Sequence, residues 1–266
     1  IIKIMSSLDK LMKDGFVVIK NALNLKELEH LLGIVDNVIA DIGDDGCAPP
    51  VGKQKSIASD PIVNNIHYHS NEFLDLVVNG NQTELIKMVL NDPYYGLIPK
   101  DDPNFILAQC NLRKSSSVID YHIDVRLKVP SPSSWSIQCI FALEDRNRRN
   151  GGLKVIPGTH LMNQIIDSDL DTSSEKFVDL KAGDMVIFWS HLYHGTTPLS
   201  NNEKAAWGLL LTYRAWWCKP QFDFVNMFGP ERLASLSQRT RTLLGYYSQP
   251  CSDWKGSPSA RQGYSD

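Results

Sequence analysis

His122 and Asp124 stand two residues apart in the stretch VIDYHIDVRLK (118–128), an apolar run that reads as a β-strand. Alternate side chains of a strand point to one face, about 7 Å apart along it. An imidazole and a carboxylate on one face suit two roles. One is a hydrogen-bonded pair in which the acid orients a structural histidine. The other is two ligands of a metal ion whose third ligand comes from elsewhere. Further along, FWSHLYHGTTP (188–198) offers His191 and His194, the latter after an apolar strand and before a glycine. Two imidazoles and one carboxylate are the donors of the facial triad, which fills three positions of octahedral Fe(II) and leaves the others open. The H-x-D spacing alone does not choose between the roles. The remaining histidines read blandly: His30 on a helix, His67 and His69 on a strand face with no acid at ligand spacing, His160 in a turn.

Positioning these residues falls to a β-rich second half. From Phe105 the chain breaks into short β runs: FILAQCNLR, VIDYHID, SWSIQCIFALED, GLKVIPGTH, KFVDL, DMVIFWS and WGLLLTYRAWW. Turn-forming clusters separate them, and no helical pattern intervenes. Such a series predicts a closed or double-sheet β architecture. The first half reads as helical apart from the strand-like FVVIKNAL. A short helix ends at Gly15 with Ser7 as its N-cap, and apolar residues from Leu25 to Ile39 recur at helical spacing. Two further helices are expected near 71–78 and 82–90, and one more in the tail, with Leu233, Leu236, Leu243 and Leu244 inside. The expected organisation is one domain over 1–266: a helix-rich flank (1–104), a β core (105–217) and a helical tail (218–266).

Bulk properties narrow the function. A length of 266 residues with 42% hydrophobic content permits a sizeable core without staples. The net charge of −3 gives no general attraction to nucleic acid or anionic membrane. No apolar run approaches the roughly 20 residues of a membrane span, and the start lacks a signal peptide's long apolar core. The five cysteines are odd in number and form no C-x-x-C pair. Cys110 and Cys139 read as buried thiols, which favours a reducing, cytoplasmic compartment.

Four stretches together resemble the phytanoyl-CoA dioxygenase family, in order and over nearly the whole chain. They are DGFVVIKNAL (14–23), GGLKVIPGTHL (151–161), GDMVIFWSHLYHGTTPLSNN (183–202) and the tail YRAWWCKPQFDF onward. The resemblance implies a mainly β, cupin-like jelly roll (a double-stranded β-helix) with flanking helices. It implies Fe(II), 2-oxoglutarate and O2, with His122 and Asp124 as proximal ligands and His194 as the distal one. His191, not followed by glycine, is a decoy. The implied reaction couples decarboxylation of 2-oxoglutarate to hydroxylation of a C–H bond in a small organic molecule. An intact Asp124 speaks against the halogenating relatives. Thr196 matches a residue that hydrogen-bonds the cosubstrate.

One departure matters. The family holds the distal carboxylate of 2-oxoglutarate with an arginine about eleven residues after the distal histidine, where this chain has Ala205 and Ala206. Lys204 is the nearest replacement, Arg214 a remote one, and Arg113 or Arg126 would have to reach in from other strands. Gln109, Asn111 and Gln138 are polar positions in apolar strands that also suit the cosubstrate. The run RNRRN (146–150) is either solvated or a grip for an anionic group. The tryptophans of the β half are either core or pocket walls. The alternative function is a jelly roll that binds metal without normal 2-oxoglutarate chemistry, silent or non-redox.

Overall fold

The sequence's β runs sort themselves by burial. Those apolar at nearly every position need cover on both faces, and those that alternate need it on one. The computed structural model describes residues 2–42, 62–99, 101–114, 118–124, 135–162 and 169–248. In chain order its elements begin with α1 (Ile2–Asp14), β1 (Phe16–Ile19), α2 (Leu25–Ile42), β2 (Ile62–Asn64) and α3 (Ile66–His69). There follow α4 (Asn71–Asn79), α5 (Gln82–Leu90), β3 (Ile106–Lys114), β4 (Ile119–His122), β5 (Ser136–Ala142) and β6 (Leu153–Val155). The last are β7 (Lys176–Val178), β8 (Met185–Trp189), β9 (His194–Thr196), β10 (Trp207–Arg214), α6 (Phe224–Ser235) and α7 (Gln238–Leu243).

The strands form two antiparallel sheets. The larger has the order β1-β8-β5-β10-β3-β2 and the smaller β4-β9-β6-β7. From β3 onward each strand crosses to the other sheet except at β6–β7, which pair with each other: β3, β5, β8 and β10 lie in one sheet, β4, β6, β7 and β9 in the other, the arrangement of a double-stranded β-helix. The fold is therefore the expected mainly β jelly roll with flanking helices. The flank also supplies two strands, since β1 pairs with β8 and β2 with β3.

β10 shows why the larger sheet has two kinds of face. Trp207, Leu209, Leu211 and Tyr213 belong to the main core, together with apolar residues of α1, α2, α4, α5, α6 and α7. The Tyr213 hydroxyl, fully buried, donates to Val77 O at 2.8 Å and accepts from Gln82 Nε2 at 3.0 Å, tying α4 and α5 to the sheet. The alternate residues Gly208, Leu210 and Thr212 face the smaller sheet. The space between the sheets is filled toward one end by Phe16, Ala142, Leu153, Val155 and Phe188. Cys110 and Cys139 lie in the main core as buried free thiols. Burial pushes the Cys110 thiol up to about 12.

Several local expectations are corrected. α1 begins before Ser7, which therefore lies inside the helix rather than at its N-cap. His67 and His69 lie on the short helix α3, not on a strand. The tail is two helices, and the first is interrupted at Gly229 (φ 71°) ahead of Pro230. The Leu233, Leu243 and Leu244 side chains are buried as expected, and Leu236 is partly so. At the other end, Gly15 (φ +87°) turns α1 into β1 where a Cβ would press on the His160 ring and Leu192.

A candidate metal centre between the sheets

The smaller sheet brings the distant histidines together. β4 and β9 pair so that His122 lies opposite His194. Asp124 lies just beyond β4, not on it. Its backbone N–H donates to Ser190 O at 2.9 Å, which anchors it to the end of β8. The strand alternation inferred from the sequence thus covers His122, and a backbone bond across the barrel places Asp124.

The donor atoms converge. Asp124 Oδ1 is 3.7 Å from His122 Nε2, and Oδ2 is 3.6 Å from His194 Nε2. One ligand atom from each residue lies within 4.8 Å of the others. Ligands about 2.1 Å from one ion and cis to each other are about 3 Å apart, so a small contraction closes the site. Each imidazole is oriented by its other nitrogen. His122 Nδ1 lies 2.9 Å from Asp120 O and His194 Nδ1 2.9 Å from Leu192 O. A carbonyl only accepts, so both Nδ1 atoms carry the proton and both Nε2 lone pairs face inward. Burial, against the attraction of Asp124, lowers the pKa of His194 and keeps the ring neutral, the form that binds metal. Burial alone would raise the pKa of Asp124; His194, His122 and Gln138 outweigh it and hold the carboxylate below its ordinary range. Two neutral imidazoles and one carboxylate fit a divalent iron site, and this is the one such cluster among the described residues.

Behind Asp124 runs a chain of polar side chains. Gln138 Nε2 donates to Asp124 Oδ2 at 3.0 Å, and the Thr212 hydroxyl donates to Gln138 Oε1 at 2.7 Å. The same hydroxyl also lies 3.2 Å from a second acceptor, Gln109 Oε1. Thr212 was missed from the sequence. Its signal was a lone hydroxyl in an apolar strand, WGLLLTYR, in register with Gln138 on β5 and Gln109 on β3.

The triad lines a cavity of about 170 Å³ shared with Gln109, Arg113, Gln138, Arg146, Thr196 and apolar Ile140, Phe188 and Leu210. Thr196 Oγ1 accepts the Ile119 N–H at 2.9 Å. Asn111 is buried, and its side chain accepts from Asn65 N toward β2. Lys204 is exposed and does not line this cavity, although its place in sequence was right for it. Arg214, at the far end of β10, donates to Lys219 O. Arg126 lies outside the described residues. Arg146, read only as part of a basic run, is buried in the cavity wall. The decoy His191 is half-buried next to His160, away from the triad. The tryptophans are not cavity walls among the described residues: Trp189 and Trp207 pack in the core and Trp216 stacks on Tyr95. A larger hollow of about 430 Å³ lies between α2 and α4, lined by Glu27, His30, Glu72 and Asp75, and holds none of these residues.

The family model for phytanoyl-CoA dioxygenase (PhyH) matches residues 11–206. The chain belongs to the phytanoyl-CoA dioxygenase family. Iron and 2-oxoglutarate go with that membership, and the triad is where this member would hold the metal. Among curated proteins, an uncharacterized protein of Mycobacterium tuberculosis is 29% identical over 115 residues, as is one of Mycobacterium bovis. The match covers 43% of this chain and 41% of each relative's length. Among solved structures, the epimerase SnoN in complex with Fe3+, alpha ketoglutarate and nogalamycin RO superposes with a TM-score of 0.61 and 16% identity. That similarity covers 86% of this chain and 92% of SnoN. HygX from Streptomyces hygroscopicus, with nickel and 2-oxoglutarate bound, gives 0.57 at 14% identity, covering 79% of this chain and 86% of HygX. At such identities the likeness is one of fold. No helix among the described residues is long and apolar enough to cross a membrane.

Proposed function

We propose that the protein is a hydroxylase of small organic molecules. Its metal ion would be held by Nε2 of His122 and His194 and a carboxylate oxygen of Asp124. The observation that carries this reading is the convergence of three inward-facing donors, each fixed from behind by a hydrogen bond, in a cavity between two sheets. A bound Fe(II) supplies the chemistry that couples oxidative decarboxylation of 2-oxoglutarate to oxidation of a substrate C–H bond. The chain's own work is orientation. The two backbone carbonyls set the imidazole tautomers, Gln138 holds Asp124, and Phe188, packed against His194 at 4.8 Å, keeps an apolar wall beside the metal.

SnoN is an epimerase, so an outcome other than hydroxylation is a second reading for this fold. A jelly roll that binds metal without 2-oxoglutarate turnover has one observation in its favour: neither Lys204 nor Arg214 lines the cavity. Anaerobic purification with metal analysis, followed by succinate measurement with Fe(II) and 2-oxoglutarate, separates the readings. Stoichiometric iron with succinate release is expected. His122→Ala and Asp124→Ala should each abolish tight iron binding. Full iron occupancy in both variants would refute the ligand set.

A further inference from the structure

We propose that Arg146 anchors the distal carboxylate of 2-oxoglutarate, using space that Gly208 leaves open on β10. The proposal rests on the cosubstrate reading above and names the residue that would complete it.

The argument begins with how the RNRRN loop is sorted. Arg148 lies over the Phe177 ring at 4.1 Å, and Arg149 pairs with Glu203 at 2.6 Å, both at the surface. Arg146 turns inward and is only 5% exposed. Its backbone is clamped to Leu180 by two hydrogen bonds of 2.8 Å, and its Nη2 donates to Gly151 O at 3.0 Å. The side chain is thus directed from both ends of its own loop. A guanidinium held in a cavity wall presents a planar fork that matches a carboxylate.

Gly208 is the second half of the device. It is the first inward-facing residue of β10, opposite Ala142 on β5 and Arg113 on β3. A Cβ at Gly208 would overlap Arg146 Nη1 and lie 3.4 Å from Cζ. Any larger residue there evicts the guanidinium. β10 therefore carries no cation at this point because a cation from the neighbouring loop already fills the place.

The cavity is graded along β10 to suit one kind of ligand. Thr212 marks the polar metal end, through Gln138 and Asp124. Next comes Leu210, opposite Ile140, an apolar pair lining the cavity. Gly208 with Arg146 is the cationic end. A 2-oxo diacid has the same order: a metal-chelating head, two methylenes and a carboxylate. From Gln138 to Ala142 the strand runs about 13 Å. A chelated five-carbon diacid with one charged hydrogen bond spans about 10 Å, so a side chain leaning back along the cavity closes the difference. Arg113 lines the same cavity and stands opposite Gly208, but it is partly exposed, and among the atoms nearest a Cβ at Gly208 are those of Arg146.

The test is binding under argon to Mn(II)-loaded protein, read by calorimetry, with 2-oxoglutarate and with pyruvate. Pyruvate has the chelating head and lacks the distal carboxylate. Wild type should prefer 2-oxoglutarate by tenfold or more. Arg146→Gln should lose tenfold or more for 2-oxoglutarate and leave pyruvate within twofold. Gly208→Ala, which keeps the arginine but displaces it, should show the same selective loss. It carries the test if Arg146→Gln does not fold. The exchange Arg146→Ala with Gly208→Arg should recover most of the lost affinity. Unchanged 2-oxoglutarate affinity in Arg146→Gln, or selective loss in Arg113→Gln instead, would overturn the assignment and leave the cosubstrate reading standing. Unchanged affinity also covers an Arg146 reserved for an anionic group of the prime substrate. If metal-loaded wild type binds neither keto acid, the cosubstrate reading itself falls, and this proposal with it.

Discussion

Replacing Gln138 with leucine tests whether the polar chain behind the triad sets its metal affinity. Leucine keeps the length and roughly the volume of glutamine, and the β5 backbone stays bonded to β8 and β10. What disappears is the 3.0 Å hydrogen bond to Asp124 Oδ2 and the nearer of the two acceptors of the Thr212 hydroxyl. A hydrogen bond to a charged group is worth about 1.5–3 kcal/mol, which is about 10- to 150-fold in a binding constant. Substituting an outer partner of a metal ligand costs about 10- to 100-fold, so the two scales agree. The assay is calorimetric titration of metal-free protein with Mn(II) at fixed pH. Gln138→Leu should weaken binding by at least tenfold with little loss of melting temperature. Thr212→Val acts one step further out and should cost only several-fold. On the Gln138→Leu background Thr212→Val should add almost nothing, because its link to Asp124 is already gone. Mn(II) affinity within twofold of wild type for Gln138→Leu would refute the view that this chain orients Asp124. Additive losses in the double variant would show that Thr212 acts by another route.

Two further outcomes concern stability. Asp184, 2% exposed, accepts from Lys20 Nζ at 2.8 Å, Asn21 N at 3.0 Å and Lys181 N at 2.8 Å, and so pins the chain after β1 to the turn before β8. Asp184→Ala should cost about 2 kcal/mol in urea unfolding, since the chain loses a buried charged acceptor that takes three hydrogen bonds; a loss under 1 kcal/mol would mean the turn holds without it. His67 is fully buried against Phe224, its ring nitrogens have no hydrogen-bond partner among the described residues, and burial lowers its pKa to about 3. Between its ordinary 6.5 and about 3 the unfolded chain binds a proton that the native state refuses, so stability falls as pH falls, by about 1.4 kcal/mol per pH unit. His67→Leu should remove that share of the decline between pH 6.5 and 5, and parallel wild-type and variant curves would show that His67 is not its source.

The sequence carried the fold wherever burial follows a period. β5, β8 and β10 are largely apolar because both faces are covered, and the helices at Leu25, Asn71 and Gln82 announce themselves by their spacing. It failed where tertiary contacts outrank local pattern. NIHYHS alternates like a strand, yet the chain enters α3 through Asn65 in a left-handed conformation (φ 58°) and buries His67 under α6. The tail reads as one amphipathic helix, but Gly229 and Pro230 break the first part. Asp124 was placed with His122 for a reason only half right, since the strand ends first and Ser190 completes the job.

The cation at the far end of the cavity shows why a spacing rule and a site can part. Counting eleven residues from His194 assumes that one strand must supply both partners. In a jelly roll, inward positions of neighbouring strands share the same space: Gly208 is flanked by Ala142 and Arg113, and the loop leaving β5 returns over it. A charge lost from one backbone can be restored from the next, provided that the original position shrinks to make room. The paired signal is therefore a glycine at an inward position of β10, just past the alanines where the arginine was expected, and an arginine four residues past the adjacent strand. Neither is legible alone: Gly208 reads as a weak spot in a strand, and Arg146 as one of three loop arginines that are either solvated or a grip for an anionic group. Their register across β5 and β10 joins them, and register is a property of the folded chain.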